Sequence, residues 1–241
     1  MRAGVRRQNL PAAFDTGAAA YDRLVGVNPG YHAHLRLSAQ RMRLPAGGEG
    51  LRLLDAGCGT GASTAALLSV APHAEIVAVD ASEGMLSRAR AKQWPPSVHF
   101  VHAPVEGLAA AGVHGPFDAI LAAYLVRNLA DPDGQLRALC ASLRPGGVLA
   151  IHEYSVADSR LATAVWHAVC WAVIIPAGRL LTGDAGLYRY LWRSVITFDG
   201  ASRVRARLRQ AGFEGVRAQT VPGWQRDIVH TFLGTRPGGN R

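Results

Sequence analysis

The sequence predicts an α/β protein: a doubly wound, seven-stranded sheet of five parallel strands and a C-terminal hairpin, with a helical lid. Three observations predict it. Short apolar runs alternate with helix-suited segments between residues 51 and 153, the rhythm that builds a right-handed parallel sheet. The first run, LRLLDA, stops at GCGTG (57–61), three glycines in five residues. After Glu153 the rhythm breaks into a long apolar stretch, and two strand-like segments close the chain.

Each element has a local reason. Residues 1–50 read as a helical arm ending in the loop PAGGEG. LRLLDA (51–56) is a short apolar run stopped by glycines, hence a buried parallel strand. Residues 60–70 suit a helix. EIVAVD (75–80) is a second strand ending in an acid, and Ser82 starts a helix carrying Met85 and Leu86. VHFVH (98–102) and FDAILAA (117–123) are strands three and four. Residues 133–143 read as a helix closed by Pro145 and two glycines, and GVLAIHE (147–153) is strand five. A lid insertion spans about 156–200. An arginine-rich helix (201–211) and the strands FEGVRAQTV and IVHTFLGTR complete the 51–241 domain.

The run LATAVWHAVCWAVIIPAGRLL (161–181) is open to three readings: a buried helix, a lid helix touching a greasy substrate or a membrane surface, or a span. Its core, 164–175, falls short of the roughly 20 apolar residues that a span needs, and Pro176 is expected to end it.

The net charge of +9 is nearly all arginine, with Lys92 the one lysine. No basic stripe is interleaved with aromatics, so no nucleic-acid partner is expected. Cys58, Cys140 and Cys170 form no CxxC or metal spacing, which fits a reducing compartment. No apolar signal core precedes Asp15. The expected location is cytoplasmic, with peripheral membrane contact left open by the 161–181 run. No metal is implied, and a homo-oligomer is compatible with the sequence.

Gly57, Gly59 and Gly61 have a G-x-G-x-G spacing, one residue shorter than the dinucleotide fingerprint, with Asp55 just before them. Asp80 ends the second strand 23 residues after Gly57, where an acid can accept ribose hydroxyls. This arrangement resembles the S-adenosylmethionine site of Rossmann-like methyltransferases. The resemblance implies that Asp55 faces the cationic methionine end of the cofactor. It implies that Gly57, Gly59 and Gly61 admit the cofactor to the backbone, and that Asp80, beside Ala81, holds the ribose. LRPGG before strand five is a frequent phrase in that superfamily. HAPVE (102–106) matches the adenine segment, where Pro104 offers no side-chain acceptor. Adenine is then expected to rest on backbone and on apolar contacts such as Val105 and Met85.

FDTGAAAYD (14–22), LVRNLADP (125–132), HEYS (152–155), GDAGLYRYLWRSVITF (183–198) and QAGF (210–213) resemble the ubiquinone/menaquinone biosynthesis C-methyltransferases over roughly residues 14–236. That family methylates a ring carbon of a prenylated hydroquinone. Its pattern implies Thr60, Asp80, Pro104 with Val105, and Ala123 as cofactor positions. Pro104 and Ala123 stand where the pattern has Asn and Ser, and Gly183 where it has Asn.

Carbon methylation needs an electron-rich carbon held in line with the sulfonium methyl, and a base to remove a phenol proton. Arginine stays charged and is a poor base, so Arg127 reads as a clamp for a developing phenolate, or as a structural salt bridge. His152, Asp184 and His32 are candidate bases, with Tyr188 as orienter. His152 reads equally as a core residue, and Asp184 as a cap of the helix holding Tyr188 and Tyr190. Tyr21 and Tyr124 read as stacking or packing, and Cys58 as packing. The residues leave three alternatives open: methylation of another small metabolite on O, N or C, a cofactor-binding domain that transfers nothing, and an RNA methyltransferase.

Overall fold

A computed structural model describes residues 30–182 and 185–238. The segment 14–22 with Tyr21, together with Gly183 and Asp184, lies outside the described residues.

Seven strands form one sheet in the order β3-β2-β1-β4-β5-β7-β6. They are β1 Arg52–Ala56, β2 Glu75–Asp80, β3 Val98–His102, β4 Phe117–Ala123, β5 Leu143–Tyr154, β6 Glu214–Thr220 and β7 Val229–Thr235. The first five run parallel, and β7 pairs antiparallel with both β5 and β6. Helices α1 Tyr31–Arg41, α2 Ala62–Val70, α3 Glu83–Arg90, α4 Pro132–Ser142 and α8 Ala201–Gln210 flank the sheet. β1 lies inside the sheet between β2 and β4, and its LLDA segment is buried throughout, as an apolar run covered on both faces must be. Strand order reverses beside β1, between its neighbours β2 and β4, so the carboxyl end of β1 opens onto a crevice.

Helix starts follow their caps. Ser82 Oγ accepts the Met85 N–H at 3.2 Å, and Asp131 Oδ1 accepts that of Gly134 at 2.9 Å. Strand five begins earlier than the sequence suggests: the RPGG turn is already part of β5, whose register against β4 shifts between Phe117 and Ala119.

The lid corrects one expectation. Pro176 does not end its helix. α5 Arg160–Val169 continues through a π turn, Cys170–Ile174, into α6 Ile175–Thr182. Proline lacks the N–H that would close onto Ala172. The wider turn reroutes the ladder, with the Ile175 N–H donating to the Cys170 carbonyl, five residues back. α7 Gly186–Ile196 packs beside it. The lid has its own core, in which Trp166, Cys170, Tyr188 and Val195 meet Tyr154 and Val229 at the strand ends. Outside that core, Leu161 (75 % exposed), Trp171, Val173 and Leu180 (87 % exposed) face solvent. The 161–181 run is thus a largely exposed lid helix, not a buried one.

Candidate active site

The glycine turn sits at the carboxyl end of β1. The Gly57 and Cys58 N–H groups both donate to the Val79 carbonyl at 2.9 Å, tying the turn to β2. Gly61 (φ +89°) is required sterically, because a Cβ there would lie 2.7 Å from the Trp94 ring. At Gly59 (φ +54°) no atom lies within 4 Å of the Cβ position. Backbone at Gly59 therefore borders open space, the cradle of a ligand that approaches the main chain.

Two acids stand at the strand ends near the turn, Asp80 bonded to it directly and Asp55 enclosed at the end of β1. Asp80 Oδ2 accepts the Gly59 N–H at 2.8 Å, and Oδ1 accepts the Ser82 N–H at 2.9 Å. Each carboxylate oxygen can accept further donors, so the group is oriented for a diol such as ribose. Asp55 is fully buried, and its Oδ2 accepts Ser63 Oγ–H at 2.8 Å and Thr64 Oγ1–H at 2.7 Å. Its Oδ1 has no partner among the described residues. Burial pushes the Asp55 carboxyl up to about 7, against the two hydroxyl bonds and with a smaller push from Asp80. An orphaned, buried carboxylate oxygen at about that value calls for a cation. Asp55 is enclosed and does not itself line the pocket, whereas the open space at Gly59 and the partly exposed Asp80 fit the ribose side of S-adenosylmethionine.

Gly57, Gly59, Thr60, Ala123 and Tyr124 line one pocket with Tyr31 and Leu35 of α1. Of the other expected cofactor residues, Met85 is buried in the first turn of α3, and the Ala81 carbonyl accepts His102 Nε2–H at 3.1 Å. Pro104 is exposed, while Val105 is buried and its carbonyl accepts Gln135 Nε2–H at 3.1 Å. None of these four lines the pocket, and neither do Asp55, Gly61 or Asp80.

Of the expected catalytic residues, the structure describes Arg127, His152, Tyr188 and His32. Arg127 is buried against Glu153, with Nη1 to Oε1 at 2.5 Å, and also donates to the Tyr124 carbonyl at 3.0 Å. Burial pushes the Glu153 carboxyl up, while Arg127 and two backbone N–H groups oppose the rise. The structural ion pair is therefore present, and the guanidinium is already engaged. His152 is fully buried beneath α1, between Ser38 Oγ (2.7 Å from Nδ1) and the Tyr124 hydroxyl (3.0 Å from Nε2). Burial drives its pKa down to about 3, helped by His34, Arg41 and His230. A neutral, enclosed imidazole is a poor base for substrate. Tyr188 is buried in the lid, so close to Gly178 that a Cβ there would lie 2.1 Å from its ring. His32 is exposed.

Sequence reasoning missed Ser63 and Thr64, although hydroxyls eight and nine residues past a strand-end acid, on the next helix, were a readable signal. It saw Tyr124 only as a stacking or packing residue and missed Tyr31. The Tyr124 ring stacks on Tyr31 (5.7 Å between centroids) and on Tyr154 (4.8 Å), and Tyr154 packs on Trp166 (4.8 Å). An aromatic ladder thus runs from the pocket into the lid.

The chain is 32 % identical over 243 residues to the demethylmenaquinone methyltransferase of Clavibacter sepedonicus, covering 99 % of this chain and 96 % of that one. It is 30 % identical over 237 residues to the ubiquinone/menaquinone biosynthesis C-methyltransferase UbiE of Ectopseudomonas mendocina, covering 96 % and 90 %. In fold it is similar to the [4+2]-cyclase SpnF (TM-score 0.70, 17 % identity, 99 % and 100 % covered). It is also similar to a SAM-dependent methyltransferase from Thermotoga maritima (TM-score 0.65, 19 % identity, 92 % and 97 % covered). The ubiE/COQ5 methyltransferase family matches residues 3–231. The chain belongs to that family, and is a methyltransferase that uses S-adenosylmethionine.

Proposed function

We propose that this enzyme methylates a ring carbon of a lipophilic aromatic, a demethylmenaquinone-like quinol, at the inner face of a membrane. The observation that carries this reading is the aromatic ladder from Tyr31 and Tyr124 through Tyr154 to Trp166, which joins the cofactor pocket to an exposed apolar helix. A flat apolar ring suits such a wall, and a prenyl tail suits the apolar lid. The relatives' names, which include menaquinone and ubiquinone biosynthesis, support the same substrate class.

Bound in the pocket, S-adenosylmethionine supplies an electrophilic methyl group. Asp55 would set a negative potential for the cationic methionine end, and Asp80 would take the ribose hydroxyls. Gly57, Gly59, Thr60 and Ala123 give backbone and small side chains for close approach. Met85, Ala81, Pro104 and Val105 would form the more distant adenine side. Positioning supplies much of the catalysis, because it removes the entropy of bringing two reactants together. Arg127, fixed by Glu153, holds the Tyr124 carbonyl and lies over the Tyr124 and Tyr154 rings at 5.7 and 5.5 Å. Its role is to place those rings beside the acceptor.

The lid makes the membrane contact. Arg160–Leu180 is long and apolar enough to cross a membrane by length and composition. Trp166 and Cys170 are fully buried in the lid core, however, so the helix lies along a surface rather than through it. It has no Asp or Glu, and Arg160 and Arg179 are exposed on it, a combination suited to anionic headgroups.

The test uses methyl-labelled S-adenosylmethionine, the purified enzyme and cell extract divided into lipid and aqueous fractions. Label on a reduced quinone in the lipid fraction supports the proposal. Label confined to the aqueous fraction replaces it with a polar acceptor.

A further inference from the structure

His152 is fully buried, and its hydrogen-bond chain can be followed to an end. Tyr124 Oη lies 3.0 Å from His152 Nε2, Ser38 Oγ lies 2.7 Å from Nδ1, and Thr231 Oγ1 lies 2.6 Å from Ser38 Oγ. Arg41 Nη1 donates to Thr231 Oγ1 at 2.7 Å and to the Gln219 carbonyl at 3.0 Å, and Nη2 donates to the Thr220 carbonyl at 2.7 Å.

Arginine only donates, which gives the chain a direction. Thr231 accepts from Arg41, and its own hydroxyl has one remaining partner among the described residues, Ser38. If Ser38 donated to Thr231 instead, the fully buried Thr231 O–H would lack an acceptor. Thr231 therefore donates to Ser38, and Ser38 donates to Nδ1. His152 then carries its hydrogen on Nε2 and donates it to the Tyr124 oxygen. This tautomer is assigned from the network. Burial that keeps the ring neutral is consistent with it.

The same histidine holds Tyr124 a second time: its backbone carbonyl accepts the Tyr124 N–H at 2.7 Å. Tyr124 needs such restraint. Its φ is +56°, in the left-handed region that a residue with a Cβ enters at a cost. Its carbonyl is fixed by Arg127 and Asn128, each at 3.0 Å. The ring so placed lines the pocket beside Gly57, Gly59, Thr60 and Ala123. The far end of the chain is α1, which contributes Ser38 and Arg41 to the network and Tyr31 and Leu35 to the pocket.

We infer that His152 is a positioning residue: it clamps Tyr124 from both ends, so that the pocket wall at the carboxyl end of β4 depends on the docking of α1. This inference rests on the reading of that pocket as the cofactor site.

Calorimetric binding of S-adenosylhomocysteine, with thermal unfolding measured in parallel, tests it on wild type, His152→Leu, His152→Gln, Tyr124→Phe and the His152→Leu/Tyr124→Phe double variant. The glutamine amide reaches where Nε2–H donates. Losing one hydrogen bond of this kind weakens binding by roughly five- to ten-fold. Both His152→Leu and Tyr124→Phe are expected to show that loss. The double variant binds no more weakly than the weaker single one, because both remove the same bond. His152→Gln stays within about two-fold of wild type. Losses that multiply in the double variant, or wild-type affinity in a folded His152→Leu, overturn the inference. If His152→Leu does not fold, Tyr124→Phe and His152→Gln decide. Weak binding by the first and normal binding by the second support the clamp; wild-type affinity in Tyr124→Phe, or weak binding by His152→Gln, overturns it. A wild-type protein that binds no S-adenosylhomocysteine sinks the pocket reading itself, and this inference with it.

Discussion

The β1 strand with its glycine turn and the lid helix are both written in apolar residues, yet the structure treats them oppositely. β1 is enclosed by helices on both faces, and its LLDA segment is buried. Only 28 % of the most apolar stretch of Arg160–Leu180 is buried, because α7 and the strand ends cover one side and nothing described covers the other. An apolar run reports that a segment avoids water, not what takes the place of water. In β1 the answer is the protein's own core. In the lid, we propose, it is lipid and a greasy acceptor. The glycine turn needs fixed geometry for a polar, charged ligand, and the lid needs a face that can be shared.

That contrast can be broken at several points. The largest effect is expected inside the lid. Trp166→Ala removes its largest fully buried side chain and should cost about 3–5 kcal/mol in urea unfolding, with the β1 turn still binding S-adenosylhomocysteine. Equal loss of binding would show that the two regions are not separable. Next comes Asp55→Asn, which keeps the shape and removes the charge. Affinity for S-adenosylhomocysteine, whose ammonium group remains, should fall roughly 100-fold. The empty protein should be no less stable, since a buried charge has been removed. Unchanged affinity by calorimetry would end the role given to Asp55.

The pH dependence sharpens the same point. Asp55 has a folded pKa of about 7, above its unfolded value of 3.8, so the folded state holds the extra proton between those values. Its contribution to stability is therefore present at low pH and is lost as pH rises from about 4 to 7. His152 acts oppositely. Its folded pKa of about 3 lies below the unfolded 6.5, so its contribution is present above 6.5 and is lost as pH falls toward 3. The two largely offset in the empty protein between pH 4 and 6.5. A cation on Asp55 favours its ionised form, so cofactor affinity should drop up to about ten-fold per pH unit below 7 and level off above it. A flat binding profile from pH 5 to 8 would contradict this.

The smallest effect concerns the outer face. Replacing the exposed Leu161 and Leu180 with Ser should change stability by less than about 0.5 kcal/mol. Binding to vesicles containing anionic lipid should fall about ten-fold. Unaltered vesicle binding would remove the lipid from the account of the lid.

The division between the regions also explains what the sequence made legible. The sheet, its order of elements, the glycine turn and the place of Asp80 at the end of β2 were readable because each depends on neighbours in the chain or on a fixed strand-to-helix spacing. The hydroxyls that hold Asp55 lie within nine residues of it and were readable in principle. His152 and Ser38 are 114 residues apart, and Arg127 and Glu153 are 26 apart. No periodicity marks those partners, so Arg127 could be a clamp or an ion pair until the fold joined it to Glu153. The π turn at Cys170–Ile174 is a tertiary remedy for Pro176, which taken alone signals a helix end.

The most direct test compares two acceptors under reducing conditions: a prenylated demethylnaphthoquinol in vesicles and the same ring without its tail in buffer. Methyl transfer from labelled S-adenosylmethionine is measured for each. The account predicts a methylated ring carbon and a kcat/KM for the prenylated acceptor at least ~100-fold higher, as burial of several tail methylenes would give. Equal rates, or transfer to neither, would contradict a lid built for a lipophilic acceptor.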